Sequence, residues 1–231
     1  MSIYNLQRRS LPRTERETTT FWNSVRMTSI IWDMGGTLFD TYPQIDAAFT
    51  NLVKSKGKNI ALSETAALTR VTRGHAINVL SEKFSIPKEE FESVYEDVKA
   101  SWEVSPAPLM DGARELFKIC QDSGGRNLIA THRDRESAQQ LLSSTGLRFD
   151  DLICPGDGFP RKPDPTMMLE IMNRNGVEAA SCIAVGDRPI DVEAAQAAGT
   201  TGFLLVSDPV DSKRDGVVTV TYLTDLIPYL G

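Results

Sequence analysis

Short apolar runs alternate with stretches of helical hydrophobic spacing along most of this chain. The runs are typical of buried strands, and the spacing of three and four between them predicts helices. The predicted strands are 29–32, 127–131, 152–154, 181–185 and 202–206, with a probable edge strand at 217–220. Strands that alternate with helices predict an α/β fold with a doubly wound, parallel sheet.

One long stretch breaks this alternation. Residues 42–107 hold four amphipathic helical segments, at about 44–56, 63–68, 74–84 and 87–102, with no strand between them. We therefore predict a small helical cap domain at 42–107, inserted into a core domain formed by 27–41 and 108–231. Because it follows the first strand directly, the insertion would lie over the carboxyl edge of the sheet, as a lid.

Local signals suggest where several predicted helices begin and end. Ser63 is a candidate N-cap in the insertion, Asp111 is a candidate N-cap for the first helix after it, and Asp164 with Pro165 would open another. A final helix is predicted from Leu223 to Leu230. The chain of 231 residues is long enough to bury a substantial core.

Composition narrows the function classes. The net charge of -6 argues against non-specific nucleic-acid binding, and no apolar run approaches the roughly 20 residues of a membrane span. The three cysteines are widely separated, which favours buried thiols in a cytoplasmic protein. Residues 1–26 contain five arginines, two glutamates and no apolar core, which predicts a flexible extension rather than a secretory signal. An amphipathic transit peptide is an alternative that the two glutamates disfavour.

The first predicted strand runs directly into Asp33-Met34-Gly35-Gly36-Thr37. A carboxylate at the carboxyl end of a strand lies where open α/β sheets form their ligand crevices. The two glycines let the backbone turn tightly and approach a ligand closely. The pattern suits a carboxylate nucleophile, a metal ion and a phosphate.

Three further polar stretches follow later strands or lie just beyond them. They are Thr131-His132-Arg133, Arg161-Lys162-Pro163-Asp164, and Gly186-Asp187-Arg188-Pro189-Ile190-Asp191. Together with Asp33-x-Gly-Gly-Thr, their order resembles the motifs of the haloacid dehalogenase-like hydrolases, over the chain from about residue 27 to its end. Within that family, phosphoglycolate phosphatases are most similar in layout.

The resemblance implies roles for individual residues. Asp33 would be the nucleophile that forms an aspartyl-phosphate, and Lys162 would neutralise it. The Mg²⁺ site would consist of Asp33, the carbonyl of Gly35, Asp187 and Asp191, with Asp191 orienting a metal-bound water or Lys162. The remaining phosphate contacts would come from Thr131, His132 and the amides of Gly35 and Gly36. The implied partner is a small phosphorylated metabolite, and the implied assembly is a monomer or homodimer.

One position departs from the family pattern, because Gly35 stands where its phosphatases carry a second aspartate, the general acid–base. Losing such a group typically costs about 10²–10⁴ in rate. One interpretation is a slow phosphatase, in which His132 either carries the proton or only hydrogen-bonds its loop. A second is phosphonate-cleaving chemistry, which would need a lysine from the cap, or dehalogenase chemistry. A third is an inactive, phosphate-binding protein or a phospho-aspartate switch.

The cap would select the substrate. Its basic residues Arg70, Arg73 and His75 could contact an anionic substrate, although a basic helix face is more often simply solvated. We predict a Mg²⁺-dependent phosphatase acting on small phosphate monoesters.

Overall fold

The computed structural model describes residues 29–206 and 216–230. The predicted extension at 1–26 lies outside these residues. The strands are β1 (Ser29–Trp32), β2 (Asn127–Ala130), β3 (Asp151–Ile153), β4 (Cys182–Gly186), β5 (Thr201–Leu205) and β6 (Val218–Val220). The α-helices are α1 (Tyr42–Ser55), α2 (Leu62–Val71), α3 (Arg73–Phe84), α4 (Lys88–Val104), α5 (Ala113–Asp122), α6 (Arg135–Thr145), α7 (Thr166–Asn175) and α8 (Pro189–Ala197).

The six described strands form one sheet in the order β3-β2-β1-β4-β5-β6, and every neighbouring pair is parallel. This confirms the predicted doubly wound α/β fold. Alternate residues of β1 face opposite sides: Ile30 and Trp32 pack with α5 and α6, whereas Ile31 packs with α7 and α8. Because both faces are covered by helices, the central strands are almost entirely apolar, apart from Ser29 and Asn127 at the starts of β1 and β2.

Helices α1 to α4 lie between β1 and α5 in the chain, and we call residues 42–104 the cap. Phe49 of α1 and Phe91 of α4 meet edge to face at 5.3 Å in the cap interior. The cap carries its own buried polar pairs, such as the Thr50 and Thr65 hydroxyls 2.9 Å apart. The apolar interior of the cap is continuous with one face of the sheet.

The two segments that connect the cap to the sheet are hydrogen-bonded to each other. The Asp40 amide donates to the Pro108 carbonyl at 2.9 Å, and the Met110 amide donates to the Leu38 carbonyl at 2.9 Å. Phe39 and Leu109 form an antiparallel bridge between these bonds. We call residues 38–40 and 108–110 the crossing ladder. It places the chain's exit from the core and its return side by side.

Two predicted helix N-caps were wrong, and the predicted final helix is present with 3-10 geometry. The helix predicted to be capped by Ser63 begins at Leu62, after Ala61. The N-cap of α5 is Gly112 rather than Asp111, because the chain enters this helix through a left-handed residue with φ of 83°. The final segment is a 3-10 helix, Leu223–Tyr229, which contains Pro228. Proline lacks the amide hydrogen that an α-helix would use at that position.

Candidate active site

Asp33 lies at the carboxyl edge of the sheet, one residue beyond β1. Its amide donates to the Val185 carbonyl of β4 at 2.9 Å, so the two central strands fix its backbone. Its side chain is buried, with 4% of the residue exposed. Asp33 Oδ1 accepts a hydrogen bond from Lys162 Nζ at 2.6 Å. The carboxylate is therefore both held and partly neutralised.

Lys162 is a fully buried cation with three acceptors. Besides Asp33, its Nζ donates to Asp191 Oδ1 at 2.5 Å and to the Ala130 carbonyl at 3.0 Å. Burial alone would lower the pKa of Lys162, but Asp191 and Asp33 outweigh burial and raise it. The ammonium thus stays charged and connects β1, β2 and α8.

Three carboxylates converge here, with one oxygen each of Asp33, Asp187 and Asp191 within 4.8 Å of one another. Burial and the charges of Asp33 and Asp191 raise the pKa of Asp187. Burial also raises the pKa of Asp191, although Lys162 opposes this. The negative charge exceeds what Lys162 can neutralise, so the cluster could hold a metal cation. Hard carboxylate oxygens fit a divalent ion of the magnesium type.

Asp191 is the most fully engaged member of this cluster. Its Oδ1 accepts from Lys162, and its Oδ2 accepts from the Arg188 amide at 3.1 Å at the start of α8. This geometry favours the role of orienting Lys162 over the alternative of orienting a metal-bound water. Asp187 instead accepts from side chains, the Tyr42 hydroxyl at 2.5 Å and the Thr37 hydroxyl at 3.4 Å.

In the turn after Asp33, one of the two backbone amides predicted to bind phosphate is already hydrogen-bonded. The Gly36 amide already donates to the Phe39 carbonyl at 2.8 Å. The amides of Met34 and Gly35 donate to no partner within the described part of the chain. We therefore expect a phosphate to meet the amides of Met34 and Gly35 rather than those of Gly35 and Gly36. The turn itself requires glycine at position 36, where φ is 81°.

Replacing Gly36 with alanine is expected to destabilise the protein more than the same change at Gly57. Both have positive φ, so both variants pay about 1–2 kcal/mol of backbone strain. A Cβ at Gly36 would also lie 2.2 Å from the Tyr42 ring and 2.6 Å from Asp187 Oδ2, whereas one at Gly57 meets nothing within 4 Å. This overlap should add about 1–3 kcal/mol. Urea unfolding of both variants measures the difference, and equal losses would contradict the packing argument.

Thr131 and His132 follow β2 into the same site. Thr131 is buried, and its hydroxyl accepts from the Arg133 amide at 3.1 Å. His132 Nε2 accepts from the Lys162 amide at 2.9 Å. Burial and the positive charge of Lys162 lower the pKa of His132 to about 4. This geometry favours the interpretation that His132 holds its loop, over that of a proton carrier near neutral pH.

A cavity of about 400 Å³ opens between the cap and Asp33. Gly35, Thr131 and His132 line its core side, and Tyr42, Thr72 and Tyr95 line its cap side. Four arginines also line it: Arg73, Arg133, Arg161 and Arg188. Such a lining favours a small ligand with more than one negative charge.

The three basic cap residues have different surroundings. Arg70 pairs with Asp46 at 3.0 Å and its guanidinium stacks 3.8 Å from the centre of the Tyr42 ring, so it has a structural role within the cap. Arg73 lines the cavity and lies over Tyr95. His75 is exposed and is not among the residues that line the cavity.

Sequence reasoning assigned no role in the site to Tyr42 or to Arg133. Tyr42 begins α1, and its hydroxyl reaches Asp187 across the cap–core boundary. The Arg133 guanidinium lies 4.9 Å from the centre of the Trp102 ring in the cap and donates to the Ser137 hydroxyl at 2.9 Å. The sequence offered only weak signals for them. Tyr42 is an aromatic residue shortly after the Asp33–Thr37 motif, and Arg133 is a basic residue after Thr131-His132, but neither position alone predicts a contact.

The sequence model of the haloacid dehalogenase-like hydrolase family matches residues 27–199. Phosphoglycolate phosphatase 1 of Pseudomonas aeruginosa is 30% identical over 218 residues, which cover 86% of this chain and 78% of that protein. The phosphoglycolate phosphatase of Pseudomonas fluorescens strain Pf0-1 is 28% identical over 181 residues, covering 74% of this chain and 66% of that protein.

Solved structures share the fold. A hydrolase from Streptococcus pneumoniae is 29% identical and superimposes with a TM-score of 0.64, covering 81% of this chain and 96% of that one. A haloacid dehalogenase family hydrolase from Deinococcus radiodurans, solved with bound phosphate and sodium, has a TM-score of 0.73 at 20% identity, covering 88% of this chain and 94% of that one.

Proposed function

This chain belongs to the haloacid dehalogenase-like hydrolases, and from that premise we propose that it is a Mg²⁺-dependent phosphatase acting on small phosphorylated metabolites through an aspartyl-phosphate on Asp33. The observation that carries the proposal is the buried Asp33–Lys162–Asp191 network at the floor of a cavity lined by arginines. The names of the Pseudomonas relatives support phosphoglycolate or a similar small phosphate monoester as the substrate.

In the proposed phosphoryl transfer, each residue of the site has a separate role. Asp33 Oδ1 accepts from Lys162, and Oδ2, which has no hydrogen bond with a described residue, is placed to attack phosphorus. The amides of Met34 and Gly35 and the Thr131 hydroxyl would hold phosphoryl oxygens. Phosphoryl transfer depends mainly on such positioning and charge stabilisation.

A divalent ion would be held by Asp33, Asp187 and the Gly35 carbonyl. Bound there, Mg²⁺ would neutralise charge on the phosphoryl oxygens. The hydroxyl groups of Tyr42 and Thr37 donate to the Asp187 carboxylate and so orient it. Asp191 holds Lys162 rather than the ion.

Phosphate release from a panel of substrates tests the proposal. The panel holds p-nitrophenyl phosphate, 2-phosphoglycolate and several sugar phosphates, each assayed with Mg²⁺ and with a chelator. We expect turnover that requires Mg²⁺ and is faster for small substrates with a second negative charge. Absence of phosphate release from every substrate at millimolar Mg²⁺ would overturn the proposal.

Mg²⁺ is expected to stabilise the purified protein before any substrate is added. At about 100 times its dissociation constant, a ligand adds about 2.7 kcal/mol of stability, which raises the melting temperature of a chain of this size by about 5–10 °C. Asp187→Asn should remove most of this shift, because Asp187 belongs to the acidic cluster. Asp122→Asn, on the surface of α5, is the matched control and should keep the shift. An equal shift in all three proteins would reject this metal site.

One observation supports a second candidate function, a phospho-aspartate switch. Gly35 cannot activate water for hydrolysis of the aspartyl-phosphate, so that intermediate could persist. A long-lived phosphoprotein after acetyl phosphate treatment, with little turnover, would favour the switch. Phosphonate cleavage is less well supported, since none of the cap lysines lines the cavity.

The remaining proposals concern setting and assembly. Cys120, Cys154 and Cys182 are buried, and none of them forms a disulfide within the described residues, which supports a reducing, cytoplasmic environment. No helix in the described ranges is both long enough and apolar enough to cross a bilayer. We retain the inference of a monomer or homodimer.

A further inference from the structure

Position 35 and Arg133 are neighbours across the cavity. A Cβ built on Gly35 would lie 3.3 Å from the Thr41 hydroxyl oxygen and 3.9 Å from Arg133 Nη2, the nearest charged group. A side chain at position 35 would therefore begin beside a guanidinium. Since Gly35 has no side chain, the space next to the nucleophile is bordered by a cation instead of a carboxylate.

The surroundings of Arg133 fix its guanidinium in this place. Nη1 donates to Ser137 of α6, and the group lies against the Trp102 ring of the cap. Nη2 has no hydrogen-bond partner among residues 29–206 and 216–230, and Arg133 lines the cavity together with Asp33 and Gly35. An arginine that is held in place and has an unused N–H donor can bind a negatively charged oxygen.

Three titratable side chains beside Asp33 already make hydrogen bonds to other residues. Tyr42 donates its hydroxyl proton to Asp187, and His132 Nε2 accepts from the Lys162 amide. Lys162 itself is shared between Asp33 and Asp191. An alkoxide leaving group needs a proton as it departs, whereas a carboxylate or phosphate leaves as a stable anion.

We propose that Arg133 is a catalytic residue that binds the departing oxyanion, and that the enzyme prefers substrates with anionic leaving groups, namely acyl phosphates and phosphoanhydrides. This inference rests on the proposed phosphatase function, but it assigns substrates whose leaving group is a stable anion in place of alkyl monoesters such as phosphoglycolate. Because position 35 is glycine, no carboxylic acid is present there to protonate the leaving oxygen. Arg133 instead stabilises the negative charge that develops on that oxygen.

The chemical step balances without an acid. An Asp33 oxygen bonds to phosphorus while the bond from phosphorus to the leaving oxygen breaks, and the electron pair stays on that oxygen beside Arg133. No proton moves in this step. Water then attacks phosphorus, the bond to Asp33 breaks, and a proton from that water passes to solvent.

The test compares leaving groups. We would measure kcat/KM for acetyl phosphate and pyrophosphate, which distinguish carboxylate from phosphate leaving groups, and for 2-phosphoglycolate and glycerol phosphate, whose leaving groups are alkoxides. The wild type should prefer at least one anionic leaving group by about 100-fold or more, since a missing acid costs 10²–10⁴. Arg133→Met should reduce that preference about 100-fold, because arginines that meet transition-state charge contribute 10³–10⁵.

Two further variants support the comparison. Arg148→Met removes an exposed arginine outside the cavity lining and should leave all rates unchanged. Gly35→Asp places a carboxylate next to Arg133 and should slow acetyl phosphate turnover about 10-fold without accelerating glycerol phosphate. This variant keeps the inference testable if Arg133→Met does not fold.

The outcomes separate the inference from the function on which it rests. If the wild type hydrolyses alkyl phosphates as fast as acetyl phosphate and pyrophosphate, the phosphatase stands and the inference fails. The inference also fails if Arg133→Met slows both classes equally, or if Gly35→Asp accelerates glycerol phosphate 10-fold. If no substrate of either class is hydrolysed, the proposed function fails as well.

Discussion

Replacing Asp33 with asparagine is expected to lower kcat by about 10⁴-fold or more, the scale seen when a nucleophile is removed. The amide has the shape of the carboxylate but cannot attack phosphorus. Lys162 would keep its bonds to Asp191 and the Ala130 carbonyl, so the variant should stay folded. Phosphate release, with circular dichroism as the folding check, measures the effect.

A covalent readout strengthens this prediction. After incubation with acetyl phosphate and acid quenching, intact mass spectrometry should find one added phosphoryl group on the wild type and none on Asp33→Asn. Asp97→Asn, on the exposed side of α4, is the matched control and should behave as the wild type does. Activity above a tenth of wild type in Asp33→Asn would mean that another residue is the nucleophile.

Replacing Lys162 with methionine is expected to abolish activity and to reduce the free energy of unfolding by about 3–5 kcal/mol, as when one partner of a buried ion pair is removed. Methionine fills a similar volume but leaves Asp33 and Asp191 without their shared donor. Urea unfolding monitored by circular dichroism measures the loss. The exposed pair of Lys118 and Asp122 provides the control, since Lys118→Met should change stability by less than about 0.5 kcal/mol.

A double variant separates charge from packing at this site. Adding Asp191→Asn to Lys162→Met removes one of the two carboxylates that lost their partner. If uncompensated charge causes the loss, the double variant should be more stable than Lys162→Met alone. A double variant that is less stable than the single one would instead assign the loss to packing.

Much of the fold follows from local signals in the sequence. The apolar run before Asp33 and the later apolar runs became the parallel sheet, because buried strands need little beyond continuous hydrophobicity. Helix ends were less certain. Asp111 is a good N-cap type, yet the chain enters α5 through the left-handed Gly112, where an added Cβ would meet residues 223 and 224 far along the chain.

The site was predictable only in part. Asp33, Lys162 and Asp191 each carry a recognisable sequence context, and the carboxyl edge of a parallel sheet brings them together. The contact between Gly35 and Arg133 spans 98 positions and depends on how the cap and α6 hold one side chain. Similarly, the sequence placed a phosphate-binding amide at Gly36, whereas the fold of the turn commits that amide to Phe39.

The crossing ladder makes the cap exchangeable. Because Leu38–Asp40 and Pro108–Met110 are already paired, the core chain could be closed between them by a short hairpin turn without altering β1 or its neighbours. The converse also holds, since another helical insertion could be grafted at the same two points. If the cap selects the substrate and the core carries the phosphoryl chemistry, as proposed, then recombination at these two points would let the two properties diversify independently while the sheet stays intact.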